Sequence, residues 1–277
     1  RSLVFLHRPE AEGAQLALQH GVLIQTSREK SGDRGQWFRP SDVAVSPDGS
    51  ILISDWYDPG VGGHAAGDGE AYGRILRLVP NDGPRGWGPL DASVDSPAPN
   101  VRGDALNQAR LQSAPLTAAA RSGDAARDSR ALARRLWLWA ERADSRALVE
   151  AALKHDNPRV RLAAYQALAR SLGVDHRRAL SMARDASPLV RAGVVVSLRD
   201  LPWSVAREAL LAHARALPPG DRSALEALGI GAQGKEEAMF AALLLDFGDA
   251  AAQAAASGRG GAFFELAWRL HPLGALD

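Results

Sequence analysis

The chain has 277 residues, 46% of them hydrophobic, a net charge of +1 and no cysteine. That length accommodates two domains, and the near-neutral charge removes any electrostatic case for nucleic acid or an anionic membrane as partner. The missing cysteines exclude disulfides, thiolate metal sites, a catalytic Cys and covalent haem attachment within this chain.

Ser2 to His7 and Gln15 to Gln19 are the first strand candidates, read as the outer half of a β-propeller blade. The clearest pattern follows in WFRPSDVAVSPDGSILISDWYDPGVGGH, from Trp37 to His64. Asp42-Val43-Ala44-Val45 leads into Ser46-Pro47-Asp48-Gly49, and Ile51-Leu52-Ile53 follows. Pro at the second turn position and Gly at the fourth predict a type I turn between antiparallel strands. Arg74-Ile75-Leu76-Arg77-Leu78 supplies a third strand. Three short antiparallel strands around such a turn make most of one blade, and a blade needs neighbours to cover its faces. The chain also begins at Arg1, without Met or a signal peptide. A piece of a longer protein is therefore expected.

The character changes near residue 80. Asn81 to Asn100 is rich in Gly and Pro, which is linker chemistry. From about Asp104 the chain turns Ala-, Leu- and Arg-rich with helical spacing. In RALARRLWLW, Arg130 to Trp139, the side chains of Leu132, Leu136 and Trp139 share a face. Asn157-Pro158-Arg159-Val160-Arg161 opens a helix with Asn as N-cap and Pro in the first turn. Ser187-Pro188-Leu189-Val190-Arg191 repeats that opening, with Val and Arg at the same offsets. Further helices are expected over Val205 to Ala216, Arg222 to Leu228, Glu236 to Leu245 and Phe263 to Leu270. No apolar run reaches the roughly 18 residues of a membrane helix, because Asp246 and Asp249 interrupt the best candidate. The recurring cap-Pro-x-Val-Arg start is the mark of HEAT-like repeats, whose helix pairs each cover the apolar face of the next.

The predicted fold class is α+β: a partial β-propeller of one to two blades followed by an α-solenoid of HEAT-like repeats. The predicted domains are 1–80 (the C-terminal part of a propeller), 81–103 (a linker) and 104–272 (the solenoid).

Several residues carry chemistry. Arg39 precedes the first blade strand and suits the carboxylate of a quinone or an acidic sugar; the structural alternative is a salt bridge to Asp42 or Asp55. His64 with Asp55, Asp58 and Asp68 offers Ca²⁺ ligands or a base; the alternative is a Gly-rich loop whose Asp side chains cap turns. Trp37, Trp56 and Tyr57 offer sugar-stacking faces or packing between blades. His155, His176, His213 and His271 fall at the expected solenoid turns, and nothing in their spacing gathers them into a ligand set. No nucleophile elbow and no phosphate-binding glycine loop occurs.

WFRPSDV, SPDG, DWYDPGVGGH and GRILRLVP are followed in order by RALARRLWLW, SPLVRAGVVVSLRDLP, EALGIGAQGKEEAMF and FFELAWRLHP. Together, over residues 37 to 272, they resemble the middle of the PVC-type haem-c-binding dehydrogenase-like proteins. In that family a propeller similar to quinoprotein sugar dehydrogenases precedes HEAT repeats and a cytochrome c domain with CxxCH. The resemblance implies a periplasmic or secreted parent that oxidises a sugar or alcohol. It also implies a pyrroloquinoline quinone-like cofactor, Ca²⁺ and haem c. Arg39, Trp56, Tyr57 and His64 become candidate cofactor or substrate contacts, and Asp55, Asp58 and Asp68 candidate metal ligands. The earlier blades and the CxxCH are absent from this chain, so no catalytic residue is assigned and the chain alone is expected to be inactive. The alternative is a non-catalytic propeller/HEAT scaffold for protein or glycan, with a protein partner on the solenoid.

Overall fold

The computed structural model describes residues 3–25, 38–46, 50–56, 73–79, 81, 103, 105, 107–108, 129–218, 220–257 and 262–271; for 130–131, 250–257 and 262 it describes the backbone alone. Within them the chain is mixed α+β, with two small sheets and a helical region. Contacts divide it into two compact units, residues 1–10 with 18–115, and residues 11–17 with 116–277.

The first sheet is a hairpin of β1 (Leu3–Glu12) and β2 (Gln15–Gln25). Both strands run beyond the segments that alternation predicts, through Arg8-Pro9-Glu10 and His20-Gly21-Val22. Gly13 opens the two-residue turn at φ 62°, where a II′ turn favours glycine.

The second sheet is antiparallel, in the order β3 (Pro40–Val45), β4 (Ile51–Asp55), β5 (Arg74–Leu78). Val45 faces Ile51, with Ser46 N–H donating to the Ser50 carbonyl at 2.8 Å, so the hairpin expected around SPDG forms. Pro47, Asp48 and Gly49 lie outside the described residues. Pro40 faces Asp55 but Asp42 faces Ser54, so Ser41 is an extra residue and makes a bulge. Pro40 suits the first strand position because it has no N–H to give the ladder. Ile53 and Asp55, two apart on the central strand, share the buried face. Neither sheet closes on itself.

Nine helices follow among the described residues. They are α1 (Ser129–Ala140), α2 (Arg146–Ala152), α3 (Pro158–Leu172), α4 (His176–Met182) and α5 (Pro188–Val196), then α6 (Trp203–Arg215), α7 (Arg222–Gly231), α8 (Glu236–Ser257) and α9 (Ala262–Leu270). The odd helices stack in sequence, α1 on α3 on α5 on α7 on α9. In a second row α4 packs on α6 and α6 on α8. Each row buries one apolar stripe, and the stripes meet in a core holding Tyr165, Leu198, Leu210, Leu228, Met239, Leu243 and Leu266. Leu136 and Trp139 are buried on the face of α1 that the spacing predicts, and Leu132 is half-buried.

The helix starts carry the local logic. Asn157 caps α3 by accepting from Arg159 N–H at 2.9 Å, and Asp175 caps α4 by accepting from Arg178 N–H at 2.7 Å. Asp221 caps α7 through Ala224 N–H at 3.0 Å, and its second carboxylate oxygen accepts from Ala14 N–H at 2.7 Å within the same unit. Gly173 ends α3 with φ 84°, in the left-handed range that glycine tolerates best. Among the described residues, no helix is long and apolar enough to cross a membrane.

Candidate functional site

Asp55 is the centre of the predicted strand-end site, and the sheet register explains what it does. It is the last residue of β4, directly opposite Arg74, the first of β5. Its carboxylate is buried, with 2% of the side chain exposed. One oxygen accepts from the Arg39 backbone N–H at 2.7 Å; the other accepts from Arg74 Nε at 2.9 Å and also from its Nη2. Trp56 N–H returns a bond to the Arg39 carbonyl at 2.9 Å.

Asp55 thus stitches the entry to β3, the end of β4 and the start of β5. Charge-assisted bonds of this kind are the strong ones. A metal ion at Asp55 would have to displace Arg74, which makes this carboxylate a poor cation ligand as it stands. Of the two salt bridges offered as the structural alternative for Arg39, to Asp42 or to Asp55, the Asp55 carboxylate pairs with Arg74 and takes only the main-chain N–H of Arg39.

Arg39 is exposed, and Trp56 is 58% exposed beside it. The structure therefore brings Arg39, Asp55 and Trp56 together at one end of the sheet. Tyr57, Asp58, His64 and Asp68 lie outside the described residues, as does Trp37.

A second concentration of buried polar groups lies in the helical unit. Arg191, His213 and Asp221 are each at least 90% buried, at 7%, 1% and 7% exposure. Arg191 Nη1 donates to the carbonyls of Asp185 and Ala186 at 2.8 and 3.0 Å, and its Nη2 to that of Ala216 at 2.9 Å. Burial lowers the Arg191 pKa, with the charges of Asp185 and Asp221 opposing.

His213 lies inside α6, not at a turn as its spacing suggested. Its Nε2 donates to the Ala224 carbonyl at 2.9 Å, while Nδ1 is buried without a partner. Burial pushes the imidazole below its ordinary pKa; the Ala224 bond and Asp221 oppose that, and Arg191 reinforces it.

Lys235 is also buried; its Nζ donates to the carbonyls of Arg199 and Gln233 at 2.6 and 3.0 Å. Beside it is a cleft of about 570 Å³ between the α5–α6 and α7–α8 loops, with Arg199, Trp203 and Glu236 among its lining. A smaller cleft of about 390 Å³ lies between α7 and α9, where Leu225, Phe264 and Trp268 form an apolar wall beside Arg222 and Glu265.

No family model, curated protein or solved structure matches the chain. Its chemistry is therefore read from its own side chains. Among the described residues no group of three or more His, Asp or Glu side chains is placed to hold a metal ion.

The paired clamps of Arg161 and Arg191 are the feature that sequence reasoning saw only as a recurring letter. Arg161 Nη1 donates to the carbonyls of His155 and Asp156 at 2.8 and 2.9 Å. Arg191, thirty residues later, does the same to Asp185 and Ala186. The signal was the Pro-x-Val-Arg offset, which puts the guanidinium one turn into its helix and within reach of the preceding loop.

Proposed function

We propose that this chain is the segment of a redox-linked parent in which a sugar-dehydrogenase-like β-propeller gives way to a HEAT-like α-solenoid. In this reading the β3–β4–β5 sheet is one blade, and the helical unit is a scaffold that spaces or docks the redox partners. The observation that carries the proposal is the thirty-residue recurrence of the Arg161 and Arg191 clamps on consecutive members of the odd helix row. A recurring joint between stacked helices is what a one-dimensional repeat array requires. The order of the sequence blocks, blade first and repeats second, supports the same parent.

The chemistry proposed for that parent is removal of a hydride from a sugar or alcohol by a quinone, with electrons passed to an appended haem c. In this chain Arg39 and Trp56 would face cofactor or substrate, and Tyr57, His64, Asp58 and Asp68 would complete the surroundings. The Arg74 fork gives Asp55 a structural role there, holding Arg39 in place.

The reading frame on both sides of the segment tests the proposal. Upstream blades with a channel-facing His and Arg, together with a downstream CxxCH, support it. The full-length protein is then expected to reduce its haem when aldose, quinone and Ca²⁺ are supplied. A frame lacking both features, or a full-length protein whose haem stays oxidised, removes the enzyme reading. The second reading, a protein- or glycan-binding scaffold, is favoured by the aromatic wall of Phe264 and Trp268 in the cleft against α7.

A further inference from the structure

We infer that His7 and His20 form a two-imidazole chelate for a divalent transition-metal ion, with Zn²⁺ or Cu²⁺ the fitting class. The two-residue turn Gly13-Ala14 sets Glu12 opposite Gln15, and the register counted from that turn sets His7 opposite His20, in keeping with the contact between their rings. Gly21 lies against the Leu6 carbonyl, as that register requires.

The imidazole rings are 4.8 Å apart between centroids, at 86° to one another. Two imidazoles on one tetrahedral ion, with metal–nitrogen bonds of about 2.0–2.1 Å and a ring radius of about 1.2 Å, place their centroids about 5.2 Å apart. The centroid separation is thus within a few tenths of an ångström of the one a shared ion requires, and rotation about the Cβ–ring bonds is what would turn a nitrogen of each ring toward that ion.

The surroundings select the kind of ion. Period-two alternation puts Phe5, Pro9, Ala11, Leu16, Leu18 and Val22 on the same face as the histidines, and none of these carries a charge. An imidazole-only site without carboxylates disfavours Ca²⁺ and Mg²⁺ and suits Zn²⁺, Cu²⁺ or Ni²⁺. The face is open: Phe5, Leu18 and Val22 are each more than half exposed, so an ion can enter and keep water in its remaining positions. Phe5 packs against His7 at 6.2 Å, limiting that ring's rotamers and reducing the entropy lost on chelation.

Calorimetric titration of the 277-residue chain with Zn²⁺ tests the inference. One ion per chain is expected to bind near neutral pH. His7→Ala and His20→Ala should each weaken binding at least about tenfold, as each removes one of two protein ligands. His176→Ala should leave it unchanged, and a tenfold excess of Ca²⁺ should not compete.

His7→Asn and His20→Asn, checked for unchanged far-UV circular dichroism, repeat the test with polar side chains of similar reach. Cu²⁺ electron paramagnetic resonance should show nitrogen coupling that either substitution diminishes. No Zn²⁺ binding to the unsubstituted chain, or full affinity in both His7 and His20 variants, overturns the site.

Discussion

Arg161 and Asp185 meet fork to fork across the α3–α5 step, Nε on Oδ2 and Nη2 on Oδ1, both at 2.7 Å. The side chains are 15% and 9% exposed, so the pair is largely shielded from water. The same carboxylate accepts from Ser187 N–H at 2.8 Å, just ahead of α5. One aspartate therefore ties the start of α5 both to its own first turn and to α3.

Asp185→Ala is expected to destabilise the helical unit by about 2–3 kcal/mol. That is less than the full cost of breaking a buried pair, because Arg161 keeps its two carbonyl partners. Burial pushes the Asp185 pKa up, but the Arg161 and Ser187 bonds and the charges of Arg161 and Arg191 outweigh it, leaving the carboxyl below its ordinary value. The unfolded state then binds the proton more readily. This share of stability is present above an unfolded pKa of about 3.9 and is lost as pH falls through the lower folded value. Urea midpoints measured from neutral pH to about pH 3 should fall less steeply for Asp185→Ala than for the parent chain.

His213 gives a separate acid response at milder pH. Its folded pKa is lowered, chiefly by burial, so acidification protonates the unfolded chain first. Stability should decline as pH falls below about 6.5, the ordinary imidazole value, towards the folded one. His213→Gln can still donate to the Ala224 carbonyl and should show a flatter urea-midpoint profile over that window. An identical slope in both proteins would assign the decline to other groups.

Glycines in α7 separate soft obstacles from hard ones. A methyl group at Gly231 would meet the Val195 carbonyl oxygen, which is backbone, and Leu210. At Gly229 it would meet the guanidinium end of Arg269, a flexible side-chain terminus that can move only by loosening its 2.7 Å bond to Glu226. Gly231→Ala is expected to cost about 1–3 kcal/mol through overpacking of α5 against α7. Gly229→Ala should fall within about 1 kcal/mol of neutral, since Ala is the better helix former. Thermal melts followed at 222 nm distinguish the two.

The starts of α3 and α5 also differ at their caps. Asn157 accepts from the Arg159 N–H, whereas Ser187 makes no side-chain cap bond. Asn157→Ala should cost about 1 kcal/mol and Ser187→Ala much less, again read from urea midpoints. Equal losses would mean that the Ser187 hydroxyl acts through another route.

Local rules carried much of the fold. The β3–β4 register follows from alternation and turn chemistry, and the starts of α3 and α5 from their cap-Pro signals. The short helices α2 and α4 were not anticipated, because seven residues give too few turns for a periodic stripe. The extension of α8 to Ser257 was missed because Asp246 and Asp249 break the apolar pattern without breaking the helix. At the strand-end site, Asp55 was singled out for its type and position, but its partner was not legible. Arg74 lies nineteen residues away, and only the β4–β5 register brings it alongside. The burial of His213 was equally hidden, since it depends on α7 closing over α6.

Arg161 and Arg191 grip main-chain oxygens at His155, Asp156, Asp185, Ala186 and Ala216. A carbonyl is the same whatever side chain it carries. Apart from the Asp185 carboxylate, which Arg161 also grips, these two guanidiniums therefore read the path of the loops and not their letters. At Ala186 and Ala216 it is the main-chain carbonyl that meets Arg191, so a change of side chain there leaves the accepting oxygen in the sequence. Side-chain chemistry on these loops and the bonds that hold the loops to α3 and α5 are therefore largely separate properties of the chain.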